Sequence, residues 1–209
     1  MGDPKFSRAK FERPSHPWEA DRIKAENELL KKYGLKNKKE LWRSQYVLRR
    51  FRQRARELQA RVRQKDKQAE KEREQLLRRL GRLGLLPLDG TTLDDVLALD
   101  VEAILSRRLQ TLTFLKGLAF TPRQARQFIV HGHVSVGGRR VTIPGLLVSR
   151  TEENVITYDE RSAISSDLHP VRQTGQPPAP PAAEGGEDEG PELPDEPGAP
   201  TPNDAPKGA

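Results

Sequence analysis

Eight arginines fall between positions 43 and 63, and the one acid among them is Glu57. A helix normally neutralises such a run with acids at i,i+4 spacing. One carboxylate cannot do that here, so the run repels itself unless phosphates cover it. Arg49, Arg50, Arg52 and Arg54 are taken from it as candidate phosphate contacts; a solvated arginine face is the structural alternative. A second constellation follows from position 107: Arg107, Arg108, Lys116, Thr121, Arg123, Arg126, Gln127, His131, His133, Arg139 and Arg140. Guanidinium groups and a free helix N-terminus are the groups that hold phosphate oxygens. A third lies at the start, where Lys5, Arg8, Lys10 and Arg13 alternate with Phe6 and Phe11. Bases interleaved with aromatics favour nucleic acid.

The charge distribution agrees. The 209 residues carry a net charge of +7, but residues 1–80 hold 25 of the 37 Lys and Arg against 12 acids. Residues 167–209 run the other way, with nine acids and two bases. A basic body of this kind points to a polyanion, whose counterions it releases on binding. The absence of cysteine excludes disulfides, thiolate metal sites and cysteine nucleophiles. His16, His131, His133 and His169 are too scattered for a zinc site, so neither metal nor cofactor is expected. No apolar run approaches the ~20 residues that span a bilayer. The basic, polar start has no secretory apolar stretch, and a cytoplasmic location is expected.

The elements that must position these groups can be read from spacing. Residues 1–17, broken by Pro4, Pro14 and Pro17, read as an extended arm. A helix is expected over 18–33, stopped by Gly34, and a longer one over 38–64. In the latter Leu48, Phe51, Ala55, Leu58 and Val62 fall on one stripe. Residues 64–75 are charged and nearly core-free, and read as a helix end and turn. Leu76, Leu77, Leu80 and Leu83 then resume an apolar face, ended by Gly84 and Pro87. Thr92, with Asp95 three residues on, has the form of a capping box opening an apolar region to Leu105.

From Arg107 the pattern tightens. Leu109, Leu112 and Leu115 are expected on one face of a helix closed by Gly117. Thr121-Pro122-Arg123-Gln124 is a helix start, with Thr at N-cap, Pro at N1 and Gln at N3. This helix runs to His131 and stops at Gly132, with Ala125, Phe128 and Ile129 inward and Arg123, Arg126 and Gln127 outward. The period then becomes two: Val134, Val136 and Val141 flank a Gly137-Gly138 hairpin turn, and Val155, Ile156 and Tyr158 form a closing strand. His131 and His133 either bond to RNA backbone or cap the helix end and hairpin. The fold class is α+β: a basic arm (1–17), a helical domain (18–105), a compact module of two helices on a small antiparallel sheet (106–166), and an acidic tail (167–209) that reads as disordered. Such a module would read A-form RNA by shape, through phosphates and 2′-hydroxyls.

The runs Arg107-Arg108-Leu109-Gln110-Thr111-Leu112, Lys116-Gly117-Leu118-Ala119, Gln124-Ala125-Arg126-Gln127, His131-Gly132-His133-Val134 and Gly138-Arg139-Arg140-Val141-Thr142-Ile143-Pro144 resemble the family of small-subunit ribosomal protein four. So do Met1 to Lys5, Pro14 to Trp18, Lys32 to Trp42 and Thr92 to Leu97. The archaeal form is most similar, and the likeness spans roughly residues 1–160. It implies a structural constituent of the small subunit that binds 16S rRNA early and nucleates assembly of the subunit body. It implies contact with ribosomal protein five and other small-subunit proteins, and an influence on translational accuracy. Membrane and small-molecule partners are not implied. The hairpin turn is Gly-Gly where the family usually has Asn-Gly, and the cysteine zinc site of some bacterial members has no counterpart. Two other classes stay open: an RNA-modifying enzyme carrying the same module, which lacks a clustered catalytic constellation here, and an assembly factor associated with small nucleolar RNA.

Overall fold

The computed structural model describes residues 10–88, 90–166 and 169–173. Lys5, Arg8 and most of the acidic tail expected over 167–209 lie outside the described residues; within that tail Pro170–Gln173 is a short helix, where disorder was expected. Three helices open the fold: α1 (Ala20–Tyr33), α2 (Lys38–Arg63) and α3 (Lys67–Arg82). Gly34 ends α1 in the left-handed region at φ 60°. A Cβ there would lie 2.8 Å from the Pro122 side chain, so the turn requires glycine both for its dihedral and for its closeness to the module. Asn37 then caps α2 by accepting from the Glu40 N–H at 3.2 Å.

One sequence expectation fails between α2 and α3. Residues 67–75 are not turn but the first half of a helix, capped by the Asp66 carboxylate on the Gln68 N–H at 3.0 Å. The turn itself is confined to Gln64 and Lys65, the latter at φ 60°. The segment looks core-free because α3 needs only Ala69 in its first two turns to pack against α2, while Glu72 reaches back to the α2 arginines. The apolar region after Thr92 divides in two, α4 (Leu93–Ala98) and α5 (Val101–Ser106), separated by extended Leu99. The Thr92–Asp95 capping box is present with both of its hydrogen bonds. Leu48, Ala55, Leu58, Leu80, Leu93, Val96 and Ile104 make one core from these helices.

The second core belongs to the module. It is built from α6 (Leu109–Leu115), α7 (Pro122–His131), β1 (Val134–Val136), β2 (Arg139–Arg140), α8 (Arg150–Glu153) and β3 (Ile156–Tyr158). The sheet is antiparallel in the order β2-β1-β3. Gly137 and Gly138 have φ 58° and 76°, the pair of positive values that a type I′ turn needs. Leu109, Leu112, Phe128, Ile129, Val134, Val148 and Ile156 fill the interior. Leu115 does not join them and is 61% exposed. At 100° per residue, six positions from Leu109 carry it off the buried face. Among the described residues no helix is long and apolar enough to cross a membrane.

A buried polar joint locks the module to the helical part. Gln110 is fully buried, and its amide nitrogen donates to the carbonyls of Gly34 at 2.9 Å, Pro122 at 2.8 Å and Tyr33 at 3.3 Å. Beside it, the Glu40 carboxylate of α2 accepts from Arg108 at 2.9 Å and from Arg126 at 2.7 and 3.1 Å. Burial alone would raise the Glu40 pKa, but the hydrogen bonds and charges of Arg126 and Arg108 outweigh it and hold the carboxyl below its ordinary 4.5. Gln110→Leu keeps the volume and strands carbonyls, so it should cost about 2–3 kcal/mol in urea unfolding. Glu40→Gln should cost about 2–3 kcal/mol at pH 7, because the buried Arg108 and the partly buried Arg126 lose their counter-charge. A lowered folded pKa contributes stability above the ordinary value and loses it as pH falls through the folded one. The urea-midpoint gap between wild type and Glu40→Gln should therefore begin to narrow as pH falls to the ordinary 4.5 and go on narrowing through the lower folded pKa; a gap constant with pH would refute the assignment.

Candidate RNA interface

The arginines of α2 lie on two flanks of its apolar stripe, as a 100° wheel requires. Arg43, Arg50, Arg54 and Arg61 share one flank, and Arg49, Arg52, Arg56 and Arg63 the other. The expectation that this run is self-repelling needs correction, because acids arrive from other elements. Glu72 of α3 meets Arg54 at 2.5 Å and Arg61 at 3.5 Å, and Asp66 meets Arg61 at 2.7 Å. Glu12 of the arm pairs with Arg49. Arg52 donates to the Leu99 carbonyl at 2.5 Å and faces Asp100 at 3.9 Å. Of the four candidates chosen by sequence, Arg49, Arg52 and Arg54 thus have partners within the chain. Among the described residues Arg50 meets no carboxylate, and neither do Arg43, Arg56 and Arg63, which the sequence reading passed over. Their signal was the seven-residue spacing of each pair, Arg43 with Arg50 and Arg56 with Arg63.

In the module, Arg123 and Gln127 lie exposed on the outer face of α7, with His131 following at the same spacing. Thr121 caps that helix by accepting from the Gln124 N–H at 3.1 Å, and the Gln124 side chain accepts from the Phe120 N–H at 2.8 Å. Arg126 does not point outward. It lies on the flank of α7 rather than its crest, and Glu40 draws it into the joint at 22% side-chain exposure. Arg108, 4% exposed, is held in the same way, and Arg107 is held by Glu153 at 2.8 Å. These three are bound within the fold rather than free on its surface. Lys116, Arg139 and Arg140 are exposed, as are Lys10 and Arg13. Arg140 also donates to the His131 carbonyl at 2.9 Å, laying its guanidinium over the end of α7.

The two histidines separate. His133 is half-buried, with Nδ1 2.8 Å from the Ser162 hydroxyl and its ring edge-on to Phe128. Burial, then the nearby charges of His131 and Arg140, lower its pKa, so it stays neutral at pH 7. It is part of the frame of the module. His131 is exposed and stacks on it at 6.2 Å. At the opposite edge Tyr158 donates to the Leu118 carbonyl at 2.5 Å and carries the Arg172 guanidinium 4.7 Å over its ring.

What remains on the outside is a set of rigidly based cations: Arg123, Arg139 and Arg140 on the module, with Arg50, Arg56 and Arg63 on α2. Such a surface suits a phosphate backbone. Known proteins agree. Residues 4–106 match the family model described as the ribosomal protein S4/S9 N-terminal domain, and residues 107–154 match the S4 domain. A protein of Thermoplasma acidophilum named small ribosomal subunit protein uS4 is 53% identical over 190 residues, 91% of this chain and 95% of its own length. Relatives of the same name from Thermoplasma volcanium and Methanococcus aeolicus are 55% and 51% identical over 173 and 172 residues, covering 83% and 82% of this chain and 86% and 96% of their own. The chain belongs to the small ribosomal subunit protein uS4 family.

Proposed function

We propose that this chain is a structural constituent of the small ribosomal subunit and binds its rRNA through the outer face of α7, the β1–β2 hairpin and the exposed arginines of α2. The observation that carries the reading is the set of surface guanidinium groups without carboxylate partners among the described residues. They stand on capped helices and a tight hairpin, so their spacing is fixed before RNA arrives. Arg123, Gln127, His131, Arg139, Arg140, Lys116, Lys10 and Arg13 make the contacts, joined by Arg43, Arg50, Arg56 and Arg63 from α2. The Thr121 end of α7 adds a partial positive charge. Arg107, Arg108 and Arg126 act indirectly, by holding these surfaces in register. Residues 18–105 and 106–166 act as two domains with a core each, supported by the separate clusters around Leu58 and Ile129.

The resemblance to the family supports finer roles. The chain binds 16S rRNA early and nucleates the subunit body. It meets ribosomal protein five, and that contact bears on decoding accuracy, in cytoplasmic ribosomes. No catalytic step is assigned to it.

Arg50→Glu with Arg123→Glu should weaken binding to a small-subunit rRNA fragment at least tenfold at moderate salt. Each lost phosphate contact should also reduce the slope of log K against log salt by about one. Filter binding at several salt concentrations reads both. An equal charge change placed in residues 174–209, or deletion of that segment, should leave binding nearly unchanged; equal losses from the two changes would overturn the interface.

A further inference from the structure

Between α2 and the 143–147 loop lies an open cleft of about 350 Å³. Its lining joins two chemistries. One part carries Arg43, Arg108 and Arg126, with Glu40 as their single carboxylate. Glu40 is already shared by Arg108 and Arg126, so this part keeps an excess of positive charge. Arg43 has no carboxylate among the described residues, and Arg108 Nε, in a side chain 5% exposed, has no hydrogen-bond acceptor. Much of the rest of the lining is apolar: Ile143, Pro144 and Leu147 of the loop, with Val47 on α2 one turn from Arg43. Ile143 is 62% exposed, which leaves apolar surface open at the cleft. The volume is at the low end of the roughly 300–1,000 Å³ of small-ligand sites.

We propose that this cleft takes one unstacked nucleotide of the rRNA, with its base against Val47, Ile143 and Leu147 and its phosphate on Arg43. The proposal rests on the rRNA-binding reading and deepens it. A flat apolar body joined to an anion is what the two parts of the lining together require. A nucleotide supplies both, whereas an acidic side chain of a neighbouring protein supplies only the charge. The cleft opens beside Arg43, on the same flank of α2 as the exposed Arg50, so a backbone tracking that flank passes its mouth. Splayed bases lodged against side chains and guanidinium planes are the usual route by which proteins read single-stranded RNA positions. The paired rRNA around it would be held by shape, and this one position by fit.

The test uses the full chain bound to small-subunit rRNA, probed nucleotide by nucleotide for base reactivity. Wild type should protect one unpaired base that Ile143→Asp and Arg43→Ser expose again, with the rest of the footprint retained and affinity lowered about tenfold. Both positions are exposed, and a circular-dichroism melt checks that the variants fold. A photoreactive benzophenone amino acid at Ile143 gives a second reading that needs no loss of function: it should crosslink to that same nucleotide. A footprint unchanged in both variants would overturn the proposal. So would crosslinks spread over paired backbone, or crosslinks to another protein in reconstituted subunits. If wild type itself protects no rRNA, the broader reading fails, which is a different result from loss of the single base.

Discussion

The Glu40 carboxylate is the constraint around which the molecule is arranged. It lies in the first turn of α2 and is shared between Arg108, just ahead of α6, and Arg126 on the flank of α7. A carboxylate in that position is costly to bury, and two guanidinium groups beside it are costly to leave unpaired. Together they offset one another's charge, and Gln110 completes the joint by donating to the carbonyls of Tyr33, Gly34 and Pro122. Glu26 repeats the device on the far side, accepting from Trp42 and Arg22 and pairing with Lys38. Glu102 does so again, holding Lys32 and the Tyr33 hydroxyl, whose pKa is pushed up to about 12 by burial and by that carboxylate.

In consequence the cations fall into two populations. One is consumed by the fold: Arg54 and Arg61 by Glu72, Arg107 by Glu153, Arg108 and Arg126 by Glu40. The other stands on the surface, and its field is what a polyanion meets at long range. A count of arginines cannot separate these. The separation depends on which acids come near in three dimensions, and it moves weight from Arg49, Arg52 and Arg54 toward Arg43, Arg50, Arg56 and Arg63.

This also explains which features were legible in the sequence. Local chemistry was: the Thr121-Pro122 helix start, the Thr92–Asp95 capping box, the Gly137-Gly138 turn and the stripe of Leu48, Ala55 and Leu58 all follow from interactions within a few residues. Features set by distant partners were not. Arg126 reads as outward on a helical wheel, because nothing near it in sequence announces Glu40, 86 residues away. The first half of α3 looks like a charged turn because its one buried side chain, Ala69, carries little hydrophobic signal, and Glu72 is matched to Arg54 and Arg61 of α2 rather than to its own helix. Leu115 was misplaced for a simpler reason: three leucines at three-residue steps drift off a 3.6-residue period.

The joint bears on recognition as well as stability. A module of about 50 residues buries little apolar surface and is marginal alone. Here its α6–α7 corner is bolted to α2 through Gln110, Glu40 and the close approach of Gly34 to Pro122. The cations of α7 and those of α2 are therefore held at fixed separation without RNA present. Shape recognition of an A-form helix depends on that fixed separation, because phosphates on a rigid duplex cannot adjust to a mobile set of charges. The cost of ordering these groups is met when the chain folds and is not charged again on binding. A buried ion cluster that adds little net stability can thus persist for what it positions.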